Sequence, residues 1–257
     1  MRLLEGSLAP NQRRQLFSIA AETAATAGWL MWDLERPTDV TAYFRSGLKA
    51  AAEAGDRALA AFIMASASLQ PSYRERPAER LRLLRGRERD ATPRTRAWIH
   101  ALEAEALALA GDEAGCLRAL DRADSVLAAL GDDRSVRRPR YDPFDPDRML
   151  GERGSALVKL GRGRDARDLL EGALVAMQGQ PRMLNSVRTS YARALALQGE
   201  VHGAVRAADA ALDGAAAMGI APTLGALRKV VRDLLPWAHE PGVQQLRERL
   251  RALDGVV

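Results

Sequence analysis

Small residues recur at Gly28, Ser66, Ala104, Gly154 and Ala192, with gaps of 38, 38, 50 and 38. Twelve residues after each stand Val40, Ala78, Cys116, Ala166 and Ala204, and seven further on Gly47, Arg85, Ala123, Ala173 and Ala211. Three residues after each member of the first set comes a large apolar side chain: Met31, Leu69, Leu107, Leu157 and Leu195. Of all these places only Arg85 clearly breaks the size rule. Two antiparallel helices approach to about 8–10 Å where small side chains sit at their crossing, and a large apolar residue one turn along fills the groove beside it. A recurring column of this kind therefore predicts a stack of helical hairpins, in which each unit buries its apolar face against the next.

Composition agrees. Hydrophobic residues make up 47% of the 257, but aromatics only 5%, so the core is built from Ala, Leu and Val. Ala and Leu are strong helix formers. The periodicity predicts helix pairs 13–32 with 38–54, 56–69 with 77–90, 94–110 with 112–130, 146–160 with 163–178, and 182–198 with 200–218. A terminal capping pair follows at 222–236 and 242–253, without the small-residue columns. Grouped as repeats, these are 13–54, 56–90, 94–130, 146–178, 182–218 and the cap 222–253, one helical-repeat domain over 1–257. First helices run into Ala110-Gly111-Asp112, Leu160-Gly161-Arg162 and Gln198-Gly199-Glu200, where Gly just past a helix end supplies a left-handed cap. The long gap contains Pro139, Pro143 and Pro146, which exclude a continuous helix and predict a proline-rich loop at 131–147.

Several classes of function find no support. Cys116 is the only cysteine, which rules out an intramolecular disulfide and a thiolate zinc site and suits a reducing cytoplasm. In its small-residue column it reads as a buried small hydrophobe. No run of about 18 uncharged apolar residues predicts a membrane span, and residues 1–16 lack the apolar core of a signal peptide. The net charge is +5. Lys49, Lys159 and Lys229 are the only lysines, an arginine bias that GC-rich coding produces. From Arg74 to Arg96 run nine arginines, but Glu75, Glu79, Glu88 and Asp90 interrupt them. Those on the predicted helix spread around it, so a solvated helix laced with ion pairs is the expectation. No nucleic-acid-binding motif accompanies them, which speaks against direct nucleic-acid binding by this chain. His100, His202 and His239 stand far apart, no nucleophile elbow or phosphate loop is legible, and Gly161-Arg162-Gly163-Arg164 has no preceding strand. The expectation is a non-enzyme with no cofactor and no metal.

Particular stretches carry a resemblance. Ala27-Gly28-Trp29-Leu30, Tyr43-Phe44-Arg45, the run Glu53 to Ala60, Arg118 to Ala123, Phe144-Asp145 and Gly151 to Gly161 resemble the tetratricopeptide-like C-terminal region of actinobacterial helix-turn-helix regulators of the XRE (Cro/C1) kind, over about residues 13–235. The resemblance implies an all-α, tetratricopeptide-like right-handed superhelix of about six antiparallel helix pairs, although the period is 38 and not 34. It also implies a DNA-binding domain ahead of the array. Only about twelve residues precede the first predicted helix, so the chain is expected to be an excised sensor domain or a stand-alone relative.

In such arrays the first helix of each pair lines a concave face that commonly binds partners. Helical spacing beside the packing column nominates Glu22, Trp29 and Trp32, then Ile63 and Gln70, then Trp98 and Glu105. From the later pairs come Arg148, Gly151 and Ser155, and Ser186, Thr189 and Arg193. Trp29, Trp32 and Trp98 either line a binding surface or pack the core. Arg148 and Arg193 either clamp an anionic group, as guanidinium forks do, or pair with Glu152 or Glu105. The expected function is a ligand- or peptide-sensing domain of a bacterial transcriptional regulator, binding a small molecule, a peptide or a protein partner on the concave face. The alternative is a stand-alone adaptor or dimerisation scaffold with no small ligand, such as a homodimer.

Overall fold

The computed structural model describes residues 9–70, 75–131, 144–219 and 221–254. Among them it is all-helical, with no strand. The helices are α1 (Pro10–Asp33), α2 (Pro37–Ala54), α3 (Arg57–Ala67), α4 (Pro77–Leu84), α5 (Pro93–Leu109) and α6 (Glu113–Leu130). Then come α7 (Pro146–Lys159), α8 (Gly163–Ala176), α9 (Pro181–Leu197), α10 (Val201–Met218), α11 (Ala221–Asp233) and α12 (Pro241–Asp254). Most of the proline-rich stretch, including Pro139 and Pro143, lies outside the described residues, as does Arg74.

Local chemistry sets the ends. Pro10, Pro37, Pro77, Pro93, Pro146, Pro181 and Pro241 each open a helix, where the missing N–H is an orphan in any case and φ is already helical. Pro146 starts α7 where the predicted helix 146–160 begins, so the loop expected over 131–147 overlaps the helix by two residues. Asp56 and Asp145 cap α3 and α7, accepting from the N–H of Leu59 at 2.9 Å and of Arg148 at 3.0 Å. Gly161 (φ 78°) and Gly199 (φ 75°) turn the chain through the left-handed region after α7 and α9.

The chain forms two compact units. The first holds Met1–Ala106 and Arg118–Phe144, the second Leu107–Leu117 and Asp145–Val257. In the first, α1 lies along α2 and α3 packs on both. Gly28 is a contact point: a Cβ there would stand 2.8 Å from Cε1 of Phe44. In the second, α7 packs on α8, α9 on α8 and α10, and α11 and α12 on α10. One core gathers Leu157, Ala166, Leu170, Ala173 and Leu184. Another gathers Leu195, Ala204, Ala208, Leu212, Leu227 and Leu246.

The first small-residue column is buried throughout, and so are the other two except in α4 and just past its end, where Ala78 and Arg85 are exposed. Arg80 and Leu84 face inward instead, at 1% and 0% exposure. The helix predicted to reach residue 90 also stops at Leu84. Arg85 turns extended, Gly86 takes φ 76°, and a single 3-10 turn covers Arg87–Arg89. Cys116 is fully buried, and burial pushes its thiol above the ordinary range against the opposing pull of Arg153 and Lys159. The large-residue column is buried at Leu157 and Leu195 and half-buried at Met31, Leu69 and Leu107.

Candidate functional site

The nominated residues serve mainly to hold their own units together. Trp29 and Trp32 are half-buried on α1, ring centres 6.0 Å apart, and Trp29 meets Phe44 edge-on at 6.0 Å. Trp98 is 3% exposed and lies tilted on Phe62 at 5.4 Å. It is a core side chain and cannot line an open surface. Ile63, Gln70 and Thr189 are likewise buried. Glu105 accepts from Nη2 of the buried Arg80. Arg148 stands 3.9 Å from Glu152 one turn along. Ser155 Oγ accepts from Lys159 Nζ at 2.8 Å and sits 3.2 Å from Ser190 Oγ. Arg193 pairs with Asp233 at 2.6 Å. Arginines of the basic run are also engaged: Arg76 stands 3.4 Å from Glu79, Arg94 donates to the Phe144 carbonyl at 2.9 Å, and Arg96 to the Glu88 carbonyl at 3.1 Å, while Arg57 of α3 reaches across to Asp90 at 2.8 Å.

A groove of about 390 Å³ lies elsewhere, in the second unit, among α8, α9 and α10. Each helix gives it one stripe at turn-to-turn spacing. From α8 and its exit come Arg167, Leu174 and Gln178; from α9, Leu184, Arg188, Tyr191 and Leu195; from α10 and the turn before it, Glu200, Gly203, Arg206, Ala207 and Ala210. Residues three, four and seven apart share a helix face, so the groove follows directly from how these helices are turned. Of the nominated positions none lines it: Ser186, Thr189 and Arg193 lie on the other flank of α9, and the rest are not on α8, α9 or α10.

One end of the groove is a closed polar network. Tyr191 Oη donates to Glu171 Oε1 at 2.7 Å, Arg167 Nε donates to the same oxygen at 3.1 Å, and Arg167 Nη1 reaches Glu200. These donors hold the Glu171 carboxyl below its usual range. Burial, and then the bond to Glu171, push the Tyr191 phenol upward. The depressed Glu171 contributes stability that is present above the ordinary carboxylate range and is lost as pH falls through its lowered value. The raised Tyr191 contributes stability that is present below the ordinary phenol range and is lost as pH climbs through its raised value. The pair thus holds from about pH 5 to about pH 10. In a near-ultraviolet titration of wild type minus Tyr191→Phe, the Tyr191 signal is expected above the ordinary tyrosine midpoint. Glu171→Gln should move it part of the way down, since burial remains. An ordinary midpoint unmoved by Glu171→Gln would count against the network.

Further along, Arg188 Nη1 donates to the Ala210 carbonyl at 3.2 Å and to Asn185 Oδ1 at 3.3 Å. Asn185 is 1% exposed, and its Nδ2 makes no hydrogen bond. It lies flat against the backbone of α10, where a Cβ on Gly214 would stand 2.3 Å from Oδ1. Gly214 therefore seats Asn185, and Asn185 with Ala210 fixes Arg188. Arg206 is exposed on α10.

No protein-family model matches the chain, and no curated protein matches it. Among the described residues, none of the helices is long and apolar enough to cross a membrane, and no three His, Cys, Asp or Glu side chains gather as metal ligands.

Proposed function

We propose that the chain is a ligand- or peptide-sensing interaction domain of a bacterial transcriptional regulator, a tetratricopeptide-like array of about six antiparallel helix pairs that binds through the groove among α8, α9 and α10. The groove carries this reading. It offers the half-buried apolar side chains of Leu174, Tyr191, Ala207 and Ala210, over the buried Leu184 and Leu195, beside arginines, the usual composition of a recognition site. The regulatory context rests on the family resemblance of the sequence, and fold alone does not assign function. Native mass spectrometry of the protein purified from its own host, before and after denaturation, tests the reading. The expected result is an extra mass that leaves on denaturation and is missing from Ala207→Trp, which fills the groove. An extra mass retained by Ala207→Trp would remove the groove from the proposal.

A second reading, a protein–protein adaptor or dimerisation scaffold without a small ligand, is favoured by a separate feature. Leu16, Ile19, Leu30 and Leu34 are 38%, 53%, 57% and 57% exposed. At 100° per residue Leu16, Ile19 and Leu30, with Leu34 just past the helix end, fall opposite the buried face of Phe17, Ala21, Ala25 and Gly28, with the exposed Thr23 and Thr26 between them. A helix apolar on both sides is normally covered on both. A clean chain mass, with a dimer abolished by Leu30→Glu, would favour this reading.

A further inference from the structure

We propose that the groove takes an acidic amphipathic helix from a partner protein, laid along α9 with carboxylates on Arg188 and Arg206 and apolar side chains against the half-buried Leu174, Tyr191 and Ala207. The inference rests on the groove being the binding site and names its ligand class.

The charge comes first. Arg167 is already matched by Glu171 and Glu200. Among the described residues Arg188 is tied only to neutral acceptors, the Asn185 amide and the Ala210 carbonyl, and the exposed Arg206 is in no ion pair. No carboxylate of the described residues therefore answers either cation. Arg188 is also held in place through the buried Asn185 and Gly214, so its fork is arranged before any ligand arrives. A fixed guanidinium with free N–H groups beside a second cation suits carboxylates, which it can bind in a bidentate way.

The shape comes next. The α9 stripe from Leu184 to Leu195 runs about 16 Å at 1.5 Å per residue, about three turns of a helix. The α10 wall is Gly203, Ala207 and Ala210, small enough for a guest helix to approach closely. No strand exists among the described residues, so a peptide has no sheet edge to join. Helix-in-groove recognition, with anchors three and four residues apart, matches the spacing of all three walls.

The test uses the intact chain and three fluorescein-labelled peptides of about fourteen residues, each with leucines at helical a/d spacing. One carries glutamate at the flanking positions, one glutamine and one lysine. Fluorescence anisotropy should show the glutamate peptide binding at least tenfold tighter than the glutamine one, with the lysine peptide weakest. Arg188→Gln and Arg206→Gln should each weaken the glutamate peptide several-fold. Together they should bring it to the glutamine level, with circular dichroism and melting unchanged. Added salt should reduce the preference, as for exposed charge pairs. Equal binding of all three peptides, abolished by Ala207→Trp, overturns the acidic class and leaves the groove as a binding site. Glutamate-peptide binding that survives both arginine changes and Ala207→Trp overturns the class and the groove together. Failure of all three peptides to bind overturns the helix proposal, while an extra mass lost with Ala207→Trp in the native spectrum would still uphold the groove.

Discussion

Glu105→Ala is expected to cost the protein about 3–5 kcal/mol, the range for stripping the partner from a buried charge. Arg80 is 1% exposed, and its Nη2 donates to Glu105. Its Nε is buried without a hydrogen bond, so the guanidinium depends heavily on that carboxylate. Arginine cannot shed its proton to escape the problem. The converse change is expected to be milder. Arg80→Met leaves an apolar chain of similar length in an apolar place, and leaves Glu105, 22% exposed, able to reach water. Urea unfolding of both variants and of the double variant gives the comparison. If Glu105→Ala shifted the midpoint no more than Arg80→Met, the ion pair would not be what keeps Arg80 inside.

Gly154→Leu is expected to cost about 1–3 kcal/mol through overpacking, a fall of several degrees in melting temperature. A Cβ alone at residue 154 would stand 2.6 Å from Cγ and 2.7 Å from Cδ2 of Leu170. Leu170 is fully buried and has no room to withdraw, so the remaining carbons of leucine would wedge α7 from α8. Gly179→Ala is the control, since a Cβ there meets nothing within 4 Å. Equal melting of the two variants would mean that α7 and α8 do not cross at Gly154.

The contrast between these sites shows what a sequence can carry. Gly154 was legible because a small residue recurs there at a fixed period, although Leu170, which it meets, stands in none of the columns, and the helices at Pro37–Ala54 and Val201–Met218 lie close to where the pattern puts them. Arg80 was not legible. Its partner stands 25 residues away on another helix, and a run of good helix formers hides both the break at Gly86 and the two-residue shift that turns Arg80 inward. The groove was missed for a related reason. Nominations followed the first helices beside the packing column, whereas the groove uses α8, α10 and the opposite flank of α9. Its network joins residues 20 and 33 apart, separations at which no local period speaks. The local trace that could have led there was Arg167 four residues before Glu171, across from the small residues Gly203, Ala207, Ala210 and Gly214.

The alanine-lined crossings have a bearing on how such a chain can drift. Ala166, Ala173, Ala204 and Ala211 are fully buried, as are Ser66 and Cys116 in the equivalent columns. Each contributes little more than a methyl group, about 0.8 kcal/mol of burial, and none has a rotamer-rich side chain to freeze. Replacement by something smaller loses little, while anything larger drives two helices apart. Substitutions at these buried crossings are therefore held to small side chains, with Val40 the largest buried among them, while the polar faces between them are free to diverge. Two descendants of one ancestor could share every crossing and still offer their partners unrelated surfaces.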